Sequence, residues 1–502
     1  MPQFVLPQKF WALAWVTVAI CVLATQAAPA VPPVLEGVVA TPQEATESDK
    51  TGDGDEEEKK EKVEIPPPPA DNLSLPDSIE PDVKERFVAA MKLYAEARRR
   101  YTKEEPRKDA IRAFKKLQRK MNATSALPGY YLGILYQWDR DYPKARRELK
   151  KVIKAAPEFY EAYVELADVD VWQRKREDAI PRYEAALDIY PHYEYGVDRI
   201  LMVLVELGRF EDARPYLERA LSRGTNPMRE QCRQAIEFAT KDPDWGETFV
   251  VESENYIIKT NVSQASAQEF SETVELVREL YDGVFPDIAK PDRKYLIMIF
   301  GDRESYVRAG APANSGGVYW PLARRIMLFK KPDMAKTLIT LKHEGFHQYC
   351  HEYLDNIPSW FNEGLADYFS ASQLVKKGNR RVMKIRPAAD RLKFMITILN
   401  RKIPRPTVAE LMNMSQAEMY DMRNKNKRMY QHYCQAWAVV YFCIEGGNRK
   451  YQKALKEYFK SIRKGKTGAE AYRVTFGRLN MNKFEEEWQS FMQRTYSTDK
   501  GI

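Results

Sequence analysis

The feature that most limits how this chain can fold is a spacing. Ala145, Ala179 and Ala213 lie 34 residues apart, and Pro157 and Pro191 repeat the same interval. Ala110 stands 35 residues before Ala145, so an earlier unit fits with a one-residue insertion. The flanks agree: Tyr142-Pro143-Lys144-Ala145, Arg176-Glu177-Asp178-Ala179, Phe210-Glu211-Asp212-Ala213. Upstream, Leu132-Gly133 with Tyr136, and Leu166-Ala167, fall in the first helix of each unit. Small alanines let paired helices approach, and proline stops each second helix because it cannot continue one. Units of this kind stack into a short superhelix with a concave face.

From Val88 to Gly224 the pattern resembles the tetratricopeptide repeat. The resemblance implies an α-solenoid, assigned to residues 83–240. Two roles stay open: buttressing the domain that follows, or holding a protein partner on the concave face. No feature of the sequence names a ligand.

A chain of 502 residues exceeds one ordinary domain and points to two or three. With 44% hydrophobic and 30% charged residues it is neither wholly disordered nor a multi-span membrane protein. Lys9 precedes an apolar run from Phe10 to Leu23, followed by small residues to Ala30. That is the pattern of a secretory signal over residues 1–28, and it predicts an exported protein with no stable membrane span after cleavage; an uncleaved anchor is the alternative. Residues 29–82 are rich in proline and acid, with Asp55-Glu56-Glu57-Glu58 and Pro66-Pro67-Pro68-Pro69, and read as a disordered linker. Glu44 to Glu64 holds ten acids and four lysines, so of the net +8 the rest of the chain carries +14. No nucleic-acid motif accompanies this basic body, and nucleic acid is not an expected partner. Beyond the signal, Cys232, Cys350, Cys434 and Cys443 are too few for a disulfide scaffold. They read as buried thiols, with one bridge such as Cys350 to Cys434 the alternative.

Five histidines are few, yet three of them, His343, His347 and His351, fall within nine residues. Pro332-Asp333 predicts a helix start, with Asp333 capping a helix from Met334 to about Leu354. On it lies His343-Glu344-Gly345-Phe346-His347. Positions four apart share a helix face, so both imidazoles can reach one zinc ion with Glu344 beside a water. After a turn through Pro358, Ser359 is expected to cap a second helix that carries Glu363-Gly364-Leu365-Ala366-Asp367. An antiparallel helix pair brings Glu363 opposite the histidines as third ligand. Gly364 removes a side chain where helices come close. Asp367, one turn on, can accept a hydrogen bond from a ligating imidazole. His351 lies about 6 Å along the axis from His347. No glycine turns the chain after His347, so His351 is not expected among the ligands.

This constellation resembles the gluzincin metallopeptidases, and most closely the peptidase-MA-like domains that exported bacterial proteins join to tetratricopeptide repeats. The matched residues are His343, Glu344, His347, Glu363 and Asp367, within a Pro-x-Trp-x-x-Glu-Gly-x-Ala-x-Tyr pattern at Pro358 to Tyr368. The resemblance implies a thermolysin-like zincin domain over residues 245–496, with a small mixed β-sheet, a helical C-terminal lobe and one Zn2+. Tyr256-Ile257-Ile258-Lys259 and Tyr295 to Phe300 read as strands. Gly316 to Tyr319 and Arg325 to Phe329 read as a hairpin whose edge can pair with an extended substrate. Beyond Asp367 the chain reads as mainly helical. The clan places an oxyanion-stabilising tyrosine or histidine about seventy residues after the third ligand. Tyr433 is the first choice here, with Tyr430 and His432 as alternatives.

Fold class is thus α-rich α+β, and the expected activity is hydrolysis of a peptide or protein substrate. Zinc held by His343, His347 and Glu363 would polarise the carbonyl and activate a water, with Glu344 as general base. The competing class is a catalytically inactive scaffold that binds partners through its repeats, and a weaker option is hydrolysis of another amide, as in a cell-wall polymer.

Overall fold

The computed structural model describes residues 73, 75–76, 78–100, 103–121, 125–285, 294–354, 356–378, 380–420 and 427–498. The signal-like segment 1–28, and the acidic linker as far as residue 72, lie outside them. The described residues are helix-rich, with a solenoid-like N-terminal region and a small mixed sheet. They fall into two compact units, one ending at Thr240 and the other beginning at Lys241.

In the first unit, α1 (Pro81–Arg99), α2 (Glu104–Met121), α3 (Leu127–Trp138), α4 (Tyr142–Ala155), α5 (Tyr160–Trp172), α6 (Arg176–Ile189), α7 (Glu194–Leu207), α8 (Phe210–Leu221) and α9 (Pro227–Thr240) follow one another, each packed on the next. Ala110, Ala145, Ala179 and Ala213 sit fully buried on α2, α4, α6 and α8, the second helix of each pair. Facing them, Gly133 touches α4 so closely that a Cβ there would lie 2.6 Å from Leu149 Cγ. Pro157 and Pro191 follow the ends of α4 and α6 by two residues. The helical array begins at Pro81 and continues through α9, longer at both ends than the repeat pattern shows.

The second unit opens on β1 (Phe249–Glu252) and β2 (Tyr256–Thr260), then α10 (Gln264–Val284), β3 (Tyr295–Phe300), α11 (Arg303–Arg308), β4 (Gly317–Trp320) and β5 (Arg325–Phe329). The sheet order is β1-β2-β3-β5-β4. β2 and β5 run parallel to β3, whereas β1 and β4 are antiparallel to their neighbours. β4 is therefore an edge. Both expected strands and the hairpin occupy these places; β1 was not anticipated.

On one face of the sheet Ile258, Ile297, Ile326 and Leu328 pack with Phe270 of α10 and Leu341 of α12 (Met334–Tyr353). Then come α13 (Ser359–Ser370), the hairpin β6 (Ser372–Lys377) and β7 (Arg380–Ile385), and α14 (Ala389–Asn400). They are followed by α15 (Val408–Asn413), α16 (Gln416–Met419), α17 (Lys427–Glu445), α18 (Arg449–Arg463), α19 (Gly468–Val474) and α20 (Met481–Thr498). Beyond Asp367 the described chain is mainly helical, as expected, with the β6–β7 hairpin as an unanticipated interruption. An aromatic core joins α13 to this lobe, with Trp360, Trp437 and Trp488 almost wholly buried. No described helix is long and apolar enough to cross a membrane. Cys232, Cys350, Cys434 and Cys443 are free and buried, so the Cys350–Cys434 alternative does not occur.

Candidate metal centre

Asp333 starts the helix that carries the histidines: its side chain accepts a hydrogen bond from the Ala335 amide at 3.0 Å, leaving α12 to run over the sheet face. The next helix begins differently from expectation. Pro358, not Ser359, occupies the N-cap position of α13, and no side chain caps it. Proline already disfavours helical geometry before it and fixes φ, so the chain turns there without a hydroxyl cap.

α12 and α13 pack side by side and bring His343, His347 and Glu363 together, all three buried. His343 Nε2 lies 3.1 Å from His347 Nε2, and Glu363 Oε2 lies 3.6 and 3.7 Å from those two nitrogens. Ligands about 2.0–2.1 Å from a tetrahedral ion stand roughly 3.4 Å from one another, which these three separations bracket. The remaining polar atoms explain the aim. His343 Nδ1 lies 3.1 Å from Asp367 Oδ1, and His347 Nδ1 lies 3.0 Å from Asn362 Oδ1. Each Nδ1–H donates outward, which leaves the lone pair of each Nε2 facing the other. Glu363 Oε1 accepts from the Tyr420 hydroxyl at 2.9 Å, while Oε2 is buried with no hydrogen-bond partner. Two facing nitrogen lone pairs and an orphaned carboxylate oxygen repel unless a cation stands among them. The group could hold a metal ion.

Behind the ligands runs a line of charge. Arg391 on α14 grips Asp367 with both Nε (2.6 Å) and Nη2 (2.5 Å). Burial opposes ionising Asp367, but Arg391 and His343 hold its carboxyl below the usual range. Burial likewise opposes a charge on His343, but the Asp367 and Glu363 carboxylates outweigh it and lift its pKa to about 10, so a proton on Nε2 is the cation that a metal ion would displace. Asp367 thus anchors the imidazole as a full carboxylate. Changing Asp367 to Asn keeps an acceptor for His343 but removes that charge and strands Arg391. Competition with a chromophoric chelator should show metal affinity falling by about 10–100-fold.

Glu344, one residue along α12 from His343, turns toward β4, where its Oε2 accepts from the Tyr319 amide at 2.9 Å. The strand reaches the helix because Gly317 has no side chain. A Cβ there would stand 2.6 Å from Thr340 Cγ2 and 3.4 Å from Glu344 Cγ. Tyr433 on α17 is buried, with its ring 6.0 Å from that of Tyr420 and its hydroxyl unpartnered. Burial first, then the nearby Glu363 charge, raises its phenol well above the usual range. Of the two alternatives, Tyr430 packs on Phe394 and His432 Nδ1 bonds the Met419 carbonyl at 3.2 Å. His351 lies tilted against Tyr319, 5.5 Å between ring centres, outside the ligand group. Gly364 does meet a helix at close range, but the neighbour is α17 rather than α12: its missing Cβ would lie 2.7 Å from the Ala436 carbonyl oxygen. Asn362, Tyr420 and Arg391 were not anticipated. Asn362, next to the third ligand, could have been suspected from its place; the other two carry no local signal.

Residues 337–467 match a family model described as a protein of unknown function (DUF1570). No curated protein matches. Among solved structures, a mutant O-GlcNAc transferase of Thermobaculum terrenum is similar at 15% identity and a TM-score of 0.26. The likeness covers 53% of this chain and 45% of that one, so the present chain spans less than half of it. A similarity that slight carries no argument about fold or activity.

Proposed function

We propose that the unit beginning at Lys241 is a zinc metallopeptidase of the gluzincin type, acting in an exported protein whose helical repeats dock a partner or substrate. The observation that carries this reading is the convergence of two imidazole nitrogens and an otherwise unpartnered Glu363 oxygen, with Glu344 one residue from the first ligand. A site that is only structural needs no carboxylate in that place. His343 and His347 would hold the ion through Nε2 and Glu363 through Oε2, the His2Glu set of catalytic zinc. When bound, zinc supplies a Lewis acid and lowers the pKa of a water toward about 7.

The chain's own groups do the rest. Glu344 takes the proton of the attacking water on its carboxylate and delivers it to the leaving amine. Before a peptide arrives, Tyr319 holds that carboxylate in place through its amide. The β4 edge offers main-chain partners to an extended peptide and so sets the scissile bond near Glu344. Tyr433, whose buried hydroxyl is without a hydrogen-bond acceptor, donates to the developing oxyanion.

The test is cleavage profiling of a denatured protein mixture. Purified protein should contain one zinc per chain and cut peptide bonds. A chelator should stop the cutting, and added zinc should restore it. A protein that stays folded after chelation, binds no zinc and cuts nothing belongs to the scaffold class instead.

A further inference from the structure

Between β5 and α12 stands Lys331, a half-buried residue. Its amide donates to Thr337 Oγ1 at 2.9 Å, which fixes the main chain against the first turns of α12. Its side chain reaches farther along the same helix, where Nζ donates to Thr340 Oγ1 at 2.6 Å. On the other side lies Gly316, the residue before β4: a Cβ there would stand 2.8 Å from Lys331 Nζ. The ammonium thus sits between α12 and the start of β4, in space that a side chain at 316 would fill. Those two elements also hold Glu344. Thr340 precedes it by one helical turn, and Tyr319, whose amide donates to it, follows Gly316 by three residues. At about 1.5 Å per helical residue and 3.3 Å per strand residue, Lys331 stands roughly 6–10 Å from Glu344.

An ammonium carries three N–H donors, and the acceptor given to one of them here is a neutral hydroxyl. The carboxylate whose charge reaches Lys331 is that of Glu344, which is itself held at the Tyr319 amide. Burial lowers the Lys331 pKa, and the Glu344 charge works against that shift. A second carboxylate at contact range would favour the ammonium in the same way and more strongly.

We infer that Lys331 binds a carboxylate of the peptide lying along β4, and so selects substrates that carry one two or three residues from the scissile bond. The inference rests on the peptidase reading and adds a substrate class to it. The offset follows from the spacing, since an extended chain advances about 3.3 Å per residue and the span to Glu344 is roughly 6–10 Å. Two sources supply the same chemistry: a free C-terminus, or the side chain of Glu or Asp. A carboxylate accepts charge-assisted hydrogen bonds from the ammonium, whereas an amide of the same shape offers a weaker acceptor. That difference is worth about 10–100-fold in this half-buried place.

The test gives full-length, zinc-loaded protein two sets of paired synthetic peptides. One set carries Glu or Gln at each position in turn, and the other ends in a free or an amidated C-terminus. Wild type should cut the carboxylate member of a pair with a kcat/KM about 10–100-fold higher, two or three residues from the carboxylate. Release of di- or tripeptides from free ends, stopped by amidation, identifies the terminal carboxylate as the ligand. Internal cuts at a fixed offset from Glu identify the side chain. Lys331→Met and Lys331→Gln should each bring the ratio close to one, with zinc content at the parental level. The ratio is taken within one sample, so a smaller folded fraction cancels from it. Cutting by wild type without a carboxylate preference, or a preference that survives both variants, overturns the role of Lys331 and leaves the peptidase reading standing. Wild type that cuts no peptide overturns that reading and the role of Lys331 with it.

Discussion

Glu344→Gln should retain zinc and lose peptide hydrolysis by at least a factor of about a thousand. The amide is nearly isosteric, and its oxygen can still accept from the Tyr319 amide, so β4 and α12 keep their places. The three ligand atoms are untouched, since none belongs to residue 344. What disappears is the ability to take a proton, a function worth about 10²–10⁴ in rate by itself. Both halves of the reaction need it, from the water and toward the amine, so the loss falls at the upper end. Parallel metal analysis and kinetics of the variant check this. Undiminished turnover with a full complement of zinc would remove Glu344 from the chemistry and with it the assigned mechanism.

Gly364→Ala should strongly destabilise the unit beginning at Lys241. Its Cβ would stand 2.7 Å from the Ala436 carbonyl oxygen, 2.9 Å from the Ala436 carbonyl carbon and 2.9 Å from Val440 Cγ2. Two of those atoms are main chain on a buried helix and cannot swing aside. Overpacking of this kind costs about 1–3 kcal/mol, and here the upper value is expected. For a unit of this size the thermal midpoint should fall by roughly 6–12 °C. Because Glu363 is the adjacent residue, any retreat of α13 from α17 also pulls the third ligand, and zinc affinity should fall with stability. Gly283→Ala is the internal control: that residue lies in α10 with nothing within 4 Å of the new methyl. Alanine there should stabilise by up to about 1 kcal/mol through helix propensity alone. If calorimetry gives both variants the same midpoint as the parent, the tight α13–α17 approach is wrong.

What could be read from the sequence is what chemistry writes locally. The Asp333 cap, the histidine pair four residues apart and the buried alanines at a 34-residue interval each follow from helix geometry. Strands β2, β3 and β5 announce themselves by runs of β-branched and aromatic residues. The hairpin β6–β7 hides because Lys376, Lys377, Arg380 and Arg381 dilute that signal, and its pairing rather than its composition makes it a sheet. The supports of the metal group were harder still. Tyr420 is 57 residues from the Glu363 it holds, and Arg391 is 24 from Asp367. No periodicity links such partners; only the packing of α14 and the lobe around α13 and α17 brings them to the site. The same reason explains Gly364, whose smallness was legible but whose neighbour was not.

β4 ends its sheet, and a terminal strand offers idle amides to any passing extended chain, including another copy in a crowded solution. The Tyr319 amide is held by Glu344, so a stopper sits on the sheet margin. An arriving peptide that needs this amide must displace the carboxylate to pair there. On the proposed reading, docking and uncapping of the proton acceptor become a single event, and protection against unwanted strand addition comes from the same side chain that cuts the wanted one.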